Sequence, residues 1–483
     1  MARGVEPGPA EPQPVPGRVP ERVPGRVRGR FGLTGEQRAW CTYDWANSVF
    51  QTSVLTVFLS LYLTAVAQAD ARASGRSCPT ALRDCAVSAF GVQVQAGSVF
   101  GFVLAGSTFI QILVLPVTGA IADRARNKKA LLGGFALVGS SATAGLALMT
   151  GTDWTLGAVL FALANLCYYG SIVVYYAFLP EISDPDERDG LSTKGWAFGY
   201  LGGGLCLAAN ILLLQLRGHL GLSESDAIRV CFVVCGLWWA GFTLVPLRGL
   251  TDHADPRGRP PTPERGAALL IVGFRQLAST LRRARRYPLT LAFLAGFLIF
   301  IDGINTVAET AGLYGSQELR LPVEVLTTTI LIVQFVAFGG GLAHGRLAAR
   351  IGAKRTILVS LTVWVLVIGA AYLVQAGNRM QFYALALGIG LVLGGTAAIS
   401  RALFSHLIPS GEEAEYFALY TLGERGTSWL GPLVFSLVAQ HTGSFRPAIV
   451  SLVAFLVIGF VVVALVPVRR AIEAVGNQPP TIH

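Results

Sequence analysis

Apolar residues gather in twelve long stretches along the chain, near 41–67, 95–118, 130–149, 154–179, 193–215, 228–247, 289–312, 323–344, 356–375, 381–404, 415–438 and 446–467. A hydrocarbon core of about 30 Å takes about 20 apolar residues at 1.5 Å each, so every stretch predicts a membrane-spanning helix. The one long polar interruption, 248–288, divides them into two sixes. It holds the run Asp255-Pro-Arg-Gly-Arg-Pro-Pro-Thr-Pro-Glu and then a basic stretch ending at Tyr287-Pro288. Prolines so dense cannot span a bilayer, while Leu269 to Leu281 suits a helix lying on its surface. The expected organisation is a tail over 1–38, a six-helix bundle over 39–247, a linker over 248–288, a second bundle over 289–468 and a tail over 469–483.

The two sixes repeat one another. Gly119-Ala-Ile-Ala-Asp123-Arg124-Ala-Arg126-Asn-Lys128-Lys129 closes the second stretch, and Gly345-Arg-Leu-Ala-Ala349-Arg350-Ile-Gly352-Ala-Lys354-Arg355 closes the eighth. Pro180 and Pro409 recur at almost the same offset, so a duplicated unit is expected rather than a chance pair of turns. Two repeated halves in a membrane chain are the usual architecture of a secondary transporter. The fold class that follows is an all-α membrane protein of twelve transmembrane helices in two pseudo-symmetric six-helix bundles.

Composition agrees: 53% of residues are hydrophobic and 14% charged, with a mean hydropathy of +0.56. A soluble chain of this length needs far more charge to cover its surface. The net charge of +10 raises nucleic acid as a partner. Its placement argues against that, because the basic residues crowd the N-terminal tail, the two repeated turns and the linker, all on one side of twelve spans. The positive-inside rule then places both termini in the cytoplasm. No signal peptide precedes the first span, and residues 1–30 read as a disordered Pro/Arg-rich tail. Arginine in excess over lysine, with abundant Ala, Gly and Val, suggests a GC-rich bacterial genome and a multi-pass protein of the cell membrane. Cys78 and Cys85 share the first outer loop, where an oxidising compartment favours a disulfide. The other five cysteines fall in or beside apolar spans as packing residues.

Charge inside lipid is costly and marks function. Asp302 lies about 20 Å along the seventh span and the Glu424-Arg425 pair about 14 Å along the eleventh, counted at 1.5 Å per residue. With Asp44 and Asn47 they are the candidates for solute contact or ion coupling. Asp302 is the candidate proton carrier, against a structural hydrogen bond to a neighbouring helix. Arg425 is the candidate fork for a carboxylate, against an ion pair across the cavity. Asn165, Tyr168, Tyr169, Tyr175 and Tyr176 are cavity-lining candidates, some of them competing with a role as interfacial anchors. The repeated turns, through Gly119, Asp123, Arg124, Lys128, Gly345, Arg350, Gly352 and Lys354, suggest a charged latch at the cytoplasmic mouth. Asp123 is suited to accept from the N-terminus of a neighbouring helix. Glycine clusters such as Gly199-xx-Gly202-Gly203-Gly204 follow no strand and precede no Gly-Lys-Ser/Thr, so helix packing is their reading. No metal cluster, cofactor loop or nucleophile–base set appears, so an enzyme is not expected.

The repeated turn resembles the signature of the major facilitator superfamily, with Arg126 at a family glycine and Ala349 at the acidic position of the second copy. A narrower resemblance is to the vacuole-effluxer branch, whose fungal members export amino acids. It rests on Tyr43-Asp44-Trp45-Ala46-Asn47-Ser48, Tyr176-Ala-Phe-Leu-Pro180-Glu181, Gly199-Tyr200-Leu-Gly-Gly-Gly204, Asp302-Gly303 with Thr306, Ser400-Arg401-Ala-Leu-Phe404, and Ala414-Glu415-Tyr-Phe417 with Gly431-Pro432. The resemblance implies a monomeric secondary transporter that moves a small solute by alternating access without cofactor, with protons as the candidate coupling ion and amino-acid-like compounds as the candidate solutes. The rival is a non-transporting sensor or scaffold of the same fold. The charges at Asp302 and Arg425 favour transport, since a scaffold gains nothing from desolvated charge.

Overall fold

The computed structural model describes residues 32–78, 85–89, 91–123, 125, 127–252, 279–280 and 282–482. The N-terminal tail up to residue 31, most of the linker, and Arg124 and Arg126 lie outside the described residues. Eleven of the described helices are long and apolar enough to span a bilayer. They are α1 (Gly35–Ala73), α2 (Ala96–Ala122), α3 (Lys128–Leu148), α4 (Trp154–Ile182), α5 (Arg188–Leu216), α6 (Glu224–Gly249), α7 (Pro288–Glu318), α8 (Val323–Ile351), α9 (Ala353–Leu373), α10 (Arg379–His406) and α12 (Phe445–Leu465). The remaining span, α11, is two pieces, Glu413–Thr427 and Leu430–Thr442. A short helix, α13 (Val468–Ala474), follows α12, where the sequence reading expected only a tail. The helices outrun the apolar stretches because their polar ends project past the hydrocarbon. Thr34 starts α1 as a capping box, its hydroxyl accepting from the Gln37 amide while Gln37 answers the Thr34 amide.

Two features were not expected. Between α1 and α2, β1 (Ala86–Ala89) and β2 (Val92–Gln95) form an antiparallel hairpin with Val87 opposite Val94. Cys78 is disulfide-bonded to Cys85 at the root of this hairpin. Within α1, Phe50–Phe58 is wound as a π-helix at mid-membrane. π-Helical turns are rare and concentrate at functional sites, and Gln51, Thr52, Leu55 and Thr56 of this stretch face the cavity described below.

A lysine of each repeated turn does the same work in its half, Lys129 in the first and Lys354 in the second, one position out of register with the repeat. Lys129 Nζ donates to Leu250 O just past the end of α6, and Lys354 Nζ donates to Ala464 O (2.7 Å) and Val466 O (2.8 Å) at the end of α12. Each lysine thus caps the C-terminal carbonyls of the last span in its own bundle. Gly352 joins α8 to α9 at φ +86°, a backbone setting that favours glycine. Arg350 beside it is exposed. Lys128 pairs with Glu181 at the end of α4.

Candidate functional site

A cavity of about 660 Å³ lies between the bundles. The first half contributes Asp44, Asn47, Gln51, Thr52, Tyr168, Tyr169 and Tyr176; the second contributes Asn305, Glu309, Gln334, Tyr420, Glu424 and Arg425. This volume suits a small solute. The cavity runs away from the termini, where Thr56, Ala308 and Glu309 both line it and are exposed. At its centre the Arg425 guanidinium lies over the Tyr169 ring at 4.4 Å, an attraction across the two halves, and 3.8 Å from Glu424. Asn305 donates to Glu424 at 3.4 Å. Arg425 Nε is buried with no hydrogen-bond partner, and an arginine donor left unmet in a cavity wall is suited to an acceptor on a solute. Gln334 donates to Thr52 at 2.9 Å and bridges the halves beside it.

Toward the termini the cavity is shut by direct contact of the halves. A Cβ built on Gly119 of α2 would lie 2.7 Å from Ala414 O and 2.9 Å from Ala418 Cβ of α11. A Cβ on Gly345 of α8 would lie 2.3 Å from Thr193 Oγ1 of α5. The leading glycine of each repeated turn is therefore where a helix of one half meets a helix of the other, and only hydrogen fits. Asp123 Oδ1 and Oδ2 accept from the Ala414 (2.8 Å) and Glu415 (2.9 Å) amides, so a carboxylate of the first half caps the N-terminus of α11 in the second. Burial, then the Glu413 and Glu415 carboxylates, push Asp123 well above the usual carboxylate range, while Lys128 and the Ala414 amide pull it down. The C-terminal segment straps the same face. Asn477 donates to His406 O and Ile408 O, and the Thr481 amide and hydroxyl bind Asp186 of the first half at 2.6 and 2.9 Å. Replacing Asp123 by alanine removes two hydrogen bonds from backbone amides of about 1 kcal/mol each, which together lower the closed-to-open ratio about 30-fold. Uptake into reconstituted vesicles is expected to slow while the melting temperature holds. Unaltered kinetics would leave the turn to topology alone.

Below the cavity floor lies Arg401 of α10, only 1% exposed. Its Nε donates to Ser192 Oγ and one terminal nitrogen to Ser192 O, both at 2.9 Å, and another terminal nitrogen lies 3.6 Å from Asp44 Oδ2. Its guanidinium carbon is 4.7 to 5.7 Å from the ring centres of Tyr176, Trp40, Tyr175 and Trp196. Ser192 in turn donates to Ala398 O, and Arg188 reaches Ser405 O.

Residues 34–476 match the family described as "Vacuole effluxer Atg22 like". The chain belongs to that family. An uncharacterized MFS-type transporter of Bacillus subtilis (strain 168), YxiO, is 28% identical over 449 residues, covering 92% of this chain and 98% of that protein. Autophagy-related protein 22-1 of Neosartorya fischeri is 26% identical, covering 90% of each. Among solved structures, the proton:xylose symporter XylE superposes with a TM-score of 0.65 at 12% identity, covering 90% of this chain and 95% of that one. A bacterial homologue of the iron transporter ferroportin in an outward-facing state gives 0.58 at 15% identity, covering 89% of this chain and 99% of that one. At such identity these two carry the fold, which is that of the major facilitators. The protein is a multi-pass membrane transporter and not an enzyme.

Several family motifs now have physical reasons. Asp302 was expected to face the cavity, and it does not line it. Its Oδ2 accepts from the Gly431 amide at 2.7 Å, where no side chain of α11's own caps the second piece. A Cβ on Gly431 would lie 2.1 Å from Thr306 Oγ1. Asp302, Thr306 and Gly431-Pro432 thus form one contact that holds the broken α11 against α7. Asp302→Ala is expected to cost about 2 kcal/mol of stability, the worth of a bond to a charged acceptor, while leaving solute affinity within about twofold. A melting curve set beside a binding isotherm checks both; lost binding with unchanged stability would return Asp302 to the transport machinery. Asn165 and Tyr175 also leave the lining. Asn165 donates to Ser107 at 2.8 Å within the first bundle, and the Tyr175 hydroxyl donates to Asp44 Oδ2 at 2.7 Å. Tyr168, Tyr169, Tyr176, Asp44, Asn47, Glu424 and Arg425 do line it. The site residues that were not among the sequence candidates are Gln51, Thr52, Asn305, Glu309, Gln334 and Arg401. Arg401 carried a signal, an arginine within an apolar stretch.

Proposed function

We propose that this transporter moves a small zwitterionic, amino-acid-like solute by alternating access, and that the structure is its state closed toward the termini. The observation that carries this reading is Arg425, a stacked guanidinium with an unmet donor in a cavity built by both halves. A guanidinium suits a carboxylate, and Glu424 and Glu309 on the same wall suit an ammonium group. Transport fits a cavity that reaches one side and is sealed on the other by contacts that can separate as rigid bodies. The sealed side is the cytoplasmic one on charge grounds, since α1 begins and α13 ends there and the described basic residues of both repeated turns, the end of the linker (Arg282, Arg283, Arg285, Arg286), Arg38, Arg188, Lys194, Arg248, Arg469 and Arg470 lie on it. Opposite them are the fewer described Arg72, Arg76, Arg217, Arg229, Arg320, Arg379 and Arg446. In a bacterial cell this orients the open cavity outward. Proton coupling, in this reading, runs through the carboxylates that line the cavity, Asp44, Glu309 and Glu424, and not through Asp302. The test is a thermal-shift screen of purified protein against amino acids and matched amines, carboxylates and sugars, because a ligand of the folded state raises its melting point. Zwitterions should stabilise most. Stabilisation by sugars alone would replace the solute class.

A further inference from the structure

The pocket around Arg401 is assembled by the opposite half. Asp44 and Trp40 stand one turn apart on α1, Tyr175 and Tyr176 on α4, and Trp196 on α5; Arg401 alone comes from the second bundle. Four aromatic faces and one carboxylate make a recognition set for an organic cation, because ring quadrupoles attract weakly hydrated charge. Guanidinium, planar and able to stack, is the best match. The set is held without Arg401. The Tyr175 hydroxyl fixes Asp44, Trp40 Nε1 donates to Tyr175 O at 3.0 Å, Trp40 stacks on Tyr175 at 4.4 Å, and Trp196 lies against Tyr200 at 5.8 Å. Gly195 leaves the room, since a Cβ there would lie 2.7 Å from Asp44 Oδ2 and 2.8 Å from Trp40.

We propose that the first bundle carries a preformed organic-cation site, Asp44 beneath Trp40, Tyr175, Tyr176 and Trp196, and that Arg401 occupies it as a built-in ligand in the closed state. This rests on the alternating-access reading. Parting the halves on this face carries α10 away from α5 and draws Arg401 out with it. The buried Asp44 carboxylate then needs another positive charge, since an unpaired charge is costly there. Asp44, Tyr176 and Trp196 line the cavity, so a cation in the cavity reaches the vacated cage directly. The class of ligand is a guanidinium or alkylammonium compound, or the cationic end of a larger solute. Such a ligand competes with Arg401, so its binding favours the state open toward the termini, and its departure lets the face reseal.

The experiment uses full-length protein in lipid nanodiscs, with methylguanidinium as the probe and urea as its neutral control. Arg401→Ala vacates the cage and should bind methylguanidinium about tenfold more tightly than wild type by calorimetry. Asp44→Asn added to Arg401→Ala should remove that gain. Should Arg401→Ala fail to fold, Gly119→Val, which parts the same face with Arg401 retained, serves instead and should also bind the probe more tightly than wild type. Equal affinity in wild type and the vacated variant, or a gain that survives Asp44→Asn, overturns the site. Failure of alternating access alone leaves probe binding to Arg401→Ala intact while distances across the two faces stay fixed, so the two ideas fail separately.

Discussion

Gly119→Val is expected to deny the transporter its closed state toward the termini and to slow transport about tenfold or more. The β-carbon alone would stand 2.7 Å from a backbone oxygen of α11, and valine adds two methyl groups to it. Overpacking of this kind costs about 1–3 kcal/mol. Here the cost falls only on the state in which the two halves touch, so it acts on the conformational ratio, where 1.4 kcal/mol is about a factor of ten. The bundles themselves should fold, since α2 meets α11 only across the interface between halves. The control is Gly134→Val in α3, where a β-carbon meets nothing within 4 Å; it should change the rate by about twofold or less. Transport rates in vesicles, measured with a cysteine-reactivity assay on the termini face, check the pair. Equal behaviour of the two variants would remove the contact from the mechanism.

Arg425→Lys should weaken solute binding about 30-fold, although the charge is kept. Lysine offers neither a planar face for Tyr169 nor a fork of parallel donors, and about 2 kcal/mol of charge-assisted hydrogen bonding goes with them. The melting temperature should move little, because Arg425 Nε has no partner in the protein to lose. Calorimetry with the solute found by the thermal-shift screen tests this. Retained affinity would confine Arg425 to its ion pair with Glu424.

The spans and the duplication were legible because lipid imposes a length and an apolar composition on every crossing segment. Asp123 was legible too, since a carboxylate opposite a helix N-terminus needs only local electrostatics to be foreseen. The break in α11 was not. Thr427-Ser428-Trp429 sits in an apolar stretch, and its one warning, Gly431-Pro432, reads equally as a kink. Without the break Asp302 has no helix end to cap, and a mid-membrane acid then reads as a proton site. Arg401 could be read only as part of the Ser400-Arg401-Ala-Leu-Phe404 run at the end of an apolar stretch. That its cage is made by α1, α4 and α5 could not be read, since pairing between distant helices leaves no mark on local pattern. The hairpin at 86–95 was hidden by its length, four residues a strand between two long helices.

The central claim is that the two faces open in turn. Spin labels at Asp184→Cys and Ser410→Cys, both exposed positions on the termini face in opposite halves, report on one gate. A second pair on the far ends of α1 and α7 reports on the other. Distances measured by double electron–electron resonance in nanodiscs should be anticorrelated: the termini pair short while the far pair is long, and the order reversed in Gly119→Val. Both distances unchanged in that variant, or both lengthening together, would contradict alternating access.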